Sequence, residues 1–299
     1  MRPASDSTLS PATSSASGFS SAMCLLVFAW HAHPDYPLVL AGNRDEFYTR
    51  RTRPAAWWGQ AVSLLAGRDE EAGGTWFGIT RRGRLAALTN VRAPSERNPH
   101  APSRGALVLA ALQTQERVDR WIERHSQRTP LFNGFNLLAG DIMPTESEPA
   151  GALHYYSNRL DTPTCALAPG VYGLSNAFLD TPWPKVTRAV AQFACSIANR
   201  VRMDDLLALM GDRELARDIE LPSTGVPLDW ERQLSSIQIR ANGYGTRATT
   251  ALTVRADGLV TLIERSFDVN DPEHWSDRHF EFMIDTASRP ARLKAPGSN

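Results

Sequence analysis

The chain has 299 residues, 42% hydrophobic and 21% charged, with 32 Lys+Arg balanced by 32 Asp+Glu. That is the composition of an ordinary globular chain, long enough for one large domain or two small ones. Zero net charge excludes nonspecific binding to nucleic acid or to an anionic membrane surface, which needs a surplus of Lys and Arg.

In chain order, residues 1–22 are a Ser/Ala/Pro/Thr-rich leader without periodicity and read as a disordered or misassigned N-terminal extension. Cys24 to Trp30 and Leu38 to Ala41 are short apolar runs flanking the turn His33-Pro34-Asp35-Tyr36-Pro37, an opening hairpin. Thr75 to Ile79 and Leu85 to Thr89 flank Arg81-Arg82-Gly83 as a second hairpin. Gly105 to Gln113, with Ser103 as its cap, and Arg117 to Ser126 read as helices. Phe135 to Ala139 and Leu153 to Tyr156 form a third strand pair. Pro184 to Arg200 carries Val186, Val190, Phe193 and Ile197 near helical spacing, and Asp204 to Met210 is a shorter helix. Ser236 to Arg240 reads as a strand, followed by Thr249 to Arg255 and Leu259 to Glu264 around the turn Ala256-Asp257-Gly258.

Strands come first, helices fill the middle and strands return, without βα alternation. This predicts an α+β protein with antiparallel sheets covered by helices. One domain is expected over residues 23–285, followed by a polar tail over 286–299. No apolar stretch reaches the roughly 18–20 residues of a membrane-spanning helix. The three cysteines are widely spaced and form no C-x-x-C, so neither a zinc ribbon nor a disulfide framework is expected, and a reducing, cytoplasmic compartment fits. His31 and His33 have no third ligand at a recognisable spacing, and no metal site is expected.

The chemistry centres on Cys24. A thiol is a good nucleophile only as its thiolate, and a chain that began at Cys24 would hold its own base, an α-amine titrating near about 8. Met23 precedes a small residue, the context in which an initiator methionine is removed. Asn43-Arg44-Asp45-Glu46 follows the second apolar run, and hairpin pairing can bring it near the chain start. Arg44 can hold the thiolate or a substrate carboxylate, and Asp45 can accept a hydrogen bond from the α-ammonium. Asn90 and Asn176, each at a strand-to-loop junction, are candidate oxyanion donors. Arg247, after the glycine-rich loop Asn242 to Gly245, is a candidate anion or carbonyl contact.

These stretches, together with Gly73-Gly74-Thr75-Trp76-Phe77-Gly78 and Tyr244-Gly245-Thr246-Arg247, resemble the NRDE family, also called the transport and Golgi organisation protein 2 family. The resemblance spans about residues 23–266 and implies a chain that begins at Met23. The family in turn resembles N-terminal nucleophile hydrolases of the choloylglycine hydrolase and penicillin acylase type, which implies a four-layer αββα sandwich. Cys24, Arg44, Asp45, Asn176 and Arg247 fall in the order of the catalytic residues of those enzymes. There the Arg and the Asp are separated; here they adjoin, so one of the two is free to point away from the thiol. Asn43, Glu46 and Trp76 are the substrate-binding candidates.

Two readings follow. One is an N-terminal cysteine amidohydrolase that acts on a small linear amide or acyl compound without a cofactor. The other is a carrier of haem or an acyl ligand on a hydrolase-like scaffold. The ordered polar set favours the enzyme.

Overall fold

The computed structural model describes residues 23–59, 63–145 and 148–285. The extension over 1–22 and the tail over 286–299 lie outside the described residues. In chain order the first strands are β1 (Met23–Trp30), β2 (Leu38–Phe47), β3 (Thr52–Trp58), β4 (Leu64–Asp69), β5 (Phe77–Thr80), β6 (Arg84–Asn90) and β7 (Phe135–Asp141). They continue with β8 (Ala152–Ser157), β9 (Cys165–Ala166), β10 (Gly170–Leu174), β11 (Arg240–Ala241), β12 (Tyr244–Val254), β13 (Leu259–Phe267) and β14 (Trp275–Met283). The helices are α1 (Gly105–Gln113), α2 (Val118–Ser126), α3 (Pro184–Ile197), α4 (Met203–Leu209) and α5 (Leu228–Gln233).

The strands build two seven-stranded sheets. The first runs β10-β1-β2-β12-β13-β14 with β11 paired to β12, and the second runs β3-β4-β5-β6-β7-β8-β9. The sheets face each other across a core that takes Leu26, Phe28, Leu38 and Leu40 from one and Leu65, Phe77, Leu85 and Leu138 from the other. On the outer face of the first sheet, Leu25, Val27, Val39 and Ala41 pack against Val186, Phe193, Leu206 and Leu209 of α3 and α4. On the outer face of the second, Ala86, Leu88 and Leu137 pack against Val108, Leu112, Trp121 and Ile122 of α1 and α2. The architecture is therefore the α+β, four-layer αββα sandwich expected.

Those layers explain the unbroken apolar runs. Side chains alternate across a strand, and an antiparallel sheet with one wet face shows polar residues at every second position. Leu25 to Trp30 has none, because both faces of β1 are covered. β14 is the converse. It lies at the sheet edge, most of its side chains are exposed, and its sequence mixes Ser, Asp, Arg, His and Glu.

Several expectations are corrected. β2 does not stop at Ala41 but runs through the polar tetrad to Phe47, because β1 and β12 pair with it along that length. Of the expected strand from Ser236 to Arg240, only Arg240 is in a strand, paired with β12 through β11. Ser103 is not the cap of α1; Arg104 holds that position, without a side-chain hydrogen bond. α3 ends at Ile197 rather than Arg200. The edge and short strands β3, β4, β9 and β14 were not expected.

Phe193 is fully buried under the first sheet, whereas Ile219 is 86% exposed. Phe193→Ala is expected to cost about 3–5 kcal/mol and Ile219→Ala less than about 0.5 kcal/mol, read by urea unfolding.

Candidate active site

The sequence from Cys24 to Asp45 meets itself at the end of the first hairpin. Cys24 pairs with Arg44, Leu25 with Asn43 and Met23 with Asp45. On the other side of β2, Thr246 lies opposite Asp45 and Ala248 opposite Arg44, with Arg247 as an extra residue in a bulge. β10 flanks β1 up to the Leu26–Leu174 pair, which brings Ser175 and Asn176 beside Cys24.

The pleat splits the tetrad. Leu38 and Leu40 face the inter-sheet core, Val39 and Ala41 the helices. Continuing that alternation puts Arg44 and Glu46 on the inner face with Cys24, and Asn43 and Asp45 on the outer face. The sequence left one of the adjoining Arg and Asp free to point away from the thiol; the structure assigns that place to Asp45.

On the inner face, Cys24, Leu26, Leu40, Arg44, Trp76 and Phe77 line a cavity of about 10 Å³, room for roughly one water. The Arg44 guanidinium stacks on the Trp76 ring at 4.3 Å and lies 3.6 Å from the Glu46 carboxylate. Its Nη1 is buried without a hydrogen-bond partner. Glu46 also accepts the Phe47 amide at 2.9 Å and stands 3.6 Å from Arg50. Arg104, at the start of α1, donates to the Gly134 carbonyl at 3.0 Å. Burial brings its guanidinium down to about 10, against the pull of Glu46 and Cys24.

On the outer face, Asn43 donates to the Met210 and Ile237 carbonyls at 2.8 and 2.9 Å and accepts the Thr249 hydroxyl at 2.6 Å. It ties β2 to the helix layer. Asp45 accepts the Thr246 hydroxyl at 2.6 Å through Oδ1, while Oδ2 is buried with no partner. Behind it, the fully buried Lys185 holds its Nζ without a partner. Burial pushes the Asp45 carboxyl up, opposed by Lys185, the Thr246 hydroxyl and Arg44. Burial pushes the Lys185 ammonium down, helped by Arg92 and opposed by Asp45, Cys24 and Glu231. Arg92 is itself paired with Glu231 at 2.7 Å and stacked on Trp183 at 4.6 Å.

The thiol in this chain is quiet. Burial pushes Cys24 up to about 12, with Asp45 adding to the rise, while Arg44 and the Asp45 amide on the sulfur work the other way. Five units above neutrality leaves a thiolate fraction of about one in 10⁵ at pH 7.

The remaining candidates divide. Asn176 donates from Nδ2 to the Asn90 carbonyl at 3.0 Å and accepts the Ser175 hydroxyl at 3.1 Å, a hydroxyl also 3.1 Å from the Cys24 carbonyl. Asn90 and Asn176 are thus joined beside Cys24. Arg247 is directed elsewhere: the bulge turns its Nη1 onto the Phe47, Tyr48 and Arg50 carbonyls, where it holds the turn after β2. His31 and His33 lie in the exposed β1–β2 turn, and His33 Nδ1 accepts the Asp35 amide.

Lys185, Arg104, Ser175 and Thr246 were not foreseen. Lys185 left a trace, since positions 185, 189, 193 and 197 are the buried stripe of α3 and a lysine there interrupts an apolar face. Arg104 left none.

The family model described as Transport and Golgi organisation 2 matches residues 23–269. A human protein, Transport and Golgi organization protein 2 homolog, is 36% identical over 278 residues, covering 88% of this chain and 99% of its own. Transport and Golgi organization protein 2 of Drosophila melanogaster is 28% identical over 282 residues, covering 87% and 98%. Among solved structures, the Caenorhabditis elegans ortholog of N-acylethanolamine-hydrolyzing acid amidase matches with a TM-score of 0.35 and 11% identity over 77% of this chain and 92% of that one. The conjugated bile acid hydrolase of Clostridium perfringens matches with a TM-score of 0.37 and 8% identity over 87% and 97%.

Lys185→Met removes the cation that opposes neutralisation of Asp45. The folded state, which already binds the Asp45 proton more tightly than the unfolded chain, then binds it more tightly still, so the loss of stability grows as pH rises through that range. The expected loss is about 3–5 kcal/mol at pH 8 and visibly smaller at pH 5. Urea unfolding at both pH values checks it; equal losses would show that the two groups do not interact.

Proposed function

The chain belongs to the transport and Golgi organisation 2 family, and from that premise we propose that it is a cytoplasmic N-terminal cysteine amidohydrolase whose nucleophile is complete only when the chain begins at Cys24. One observation carries the reading. Cys24 sits at the end of its strand, with its sulfur in a cavity against Arg44 and with Asp45, whose Oδ2 has no partner, at the register position of residue 23.

Cleavage before Cys24 replaces an amide nitrogen, which cannot take a proton, with an amine that can. The thiol gives its proton to that amine, and the sulfur attacks the substrate carbonyl. Asn176 and Asn90, joined by a hydrogen bond beside Cys24, are the proposed donors to the developing oxyanion. The tetrahedral intermediate collapses to a thioester as the ammonium protonates the leaving nitrogen. Water, deprotonated by the same amine, then releases the acid and restores the thiol. Asp45 holds the amine in place from the outer face. Arg44, on its Trp76 shelf, offers Nη1 to an oxygen of the substrate, and Glu46 fixes the guanidinium from the other side.

The carrier reading has less behind it. The residues that line the cavity beside Cys24 include no histidine to ligate a haem iron. Among the described residues no helix is long and apolar enough to cross a membrane, and Cys24, Cys165 and Cys195 are all free thiols.

The test compares a chain that starts at Cys24, verified by intact mass, with the full-length chain. Iodoacetamide at pH 7.5 is expected to label Cys24 at least about 100-fold faster in the shorter chain, since the new amine can take the proton of a thiol that burial otherwise holds up at about 12. Equal rates in the two chains would remove the proposed base.

A further inference from the structure

We propose that Asp119, Glu148 and His154 form a binding site for a divalent transition-metal ion, on the outer face of the second sheet and separate from Cys24. His154 stands on β8, where Leu153 and Tyr155 face the inter-sheet core and Tyr156 faces the helices; the same alternation turns His154 toward α2. Asp119 is in the first turn of α2. Glu148 lies on the β7–β8 connection in a closed turn, accepting at its carbonyl from the Thr145 and Gly151 amides. One ligand atom from each of the three residues lies within 4.8 Å of the others. On a tetrahedral ion with bonds of about 2.0–2.2 Å, such atoms stand roughly 3.4 Å apart, so a small inward movement closes the site.

A second observation is independent of the carboxylates. His154 is 6% exposed, and its Nδ1 is buried with no hydrogen-bond partner. A buried imidazole nitrogen left unpaired is costly, and a metal ion satisfies it. One imidazole with two carboxylates suits the borderline ion Zn²⁺ best, and admits the harder Mn²⁺ more weakly through its two carboxylates.

The site already holds a cation. Arg117 Nη2 lies 2.9 Å from Asp119 Oδ2 and 2.6 Å from Glu148 Oε1, between the two carboxylates where an ion would sit. Its side chain is 40% exposed and can turn into solvent. One guanidinium for two carboxylates leaves the cluster a negative charge and does not serve the imidazole. A divalent ion neutralises both carboxylates and takes a ring nitrogen of His154 as well. Its effect would be to pin α2 to β8 and to the connection before it.

Isothermal titration of the metal-free full-length chain tests this with Zn²⁺ and with Mn²⁺, the latter because thiolates hold it poorly. The expected result is one ion per chain, Zn²⁺ in the micromolar range and Mn²⁺ weaker. Asp119→Asn and His154→Ala, each checked for folding by circular dichroism, should each weaken Zn²⁺ at least tenfold. Arg117→Gln should tighten it severalfold, because the competing cation is gone; a salt-bridge cluster with no metal role would show no such gain. The proposal is overturned if neither the natural chain nor Arg117→Gln binds Mn²⁺. It is also overturned if Zn²⁺ binds but His154→Ala leaves it unchanged, which would put the ion on the exposed thiols Cys165 and Cys195.

Discussion

The pairing of β2 between β1 and β12 is the constraint on which the rest depends. It sets the register that puts Cys24 opposite Arg44, and the pleat then decides which side of the sheet each charge of the tetrad meets. A slip of one residue would exchange the faces, burying Asn43 and Asp45 between the sheets and moving Arg44 and Glu46 under the helices. Both sides oppose that slip. Asn43 is tied to Met210, Ile237 and Thr249 on one face, and Arg44 is stacked on Trp76 on the other.

Stability alone does not ask for this many buried charges. Arg44, Asp45, Glu46, Arg92, Lys185 and Glu231 are all buried around one strand end. Replacing buried ion pairs with well-packed apolar side chains is often neutral or stabilising. Several of these groups also keep an unmet hydrogen-bonding atom, Arg44 Nη1, Asp45 Oδ2 and Lys185 Nζ among them. Such atoms are expensive inside a protein unless something arrives to meet them. They lie on both faces of the sheet around Cys24.

Arg247 shows how the same strand ladder separates framework from site. Its order in the chain matches a substrate-contacting arginine, but the bulge between Thr246 and Ala248 turns it onto three carbonyls of the turn after β2. Order along a chain is a weak guide to function when one extra residue in a strand redirects a side chain. The hydroxyl beside it, Thr246, reaches Asp45 instead.

Much of the molecule was legible in one dimension. The apolar runs Leu25 to Trp30 and Leu85 to Leu88, the stripe of α3 and the Asp257-Gly258 turn each follow from local periodicity and turn chemistry, which need no partner to be read. The motifs around Cys24, Asn43 to Glu46 and Gly73 to Gly78 identified the family and, with it, the layered fold. Edge strands such as β14 and β9 were not legible, β14 because its polarity is that of a loop and β9 because it has only two residues; only pairing makes them strands. The placement of Lys185, Arg104 and Ser175 around Cys24, and the meeting of His154 with two carboxylates, came from contacts between elements far apart in the chain. Local sequence settles which segments extend, coil or turn; which charges share a buried space depends on how the layers stack, and no local pattern encodes that.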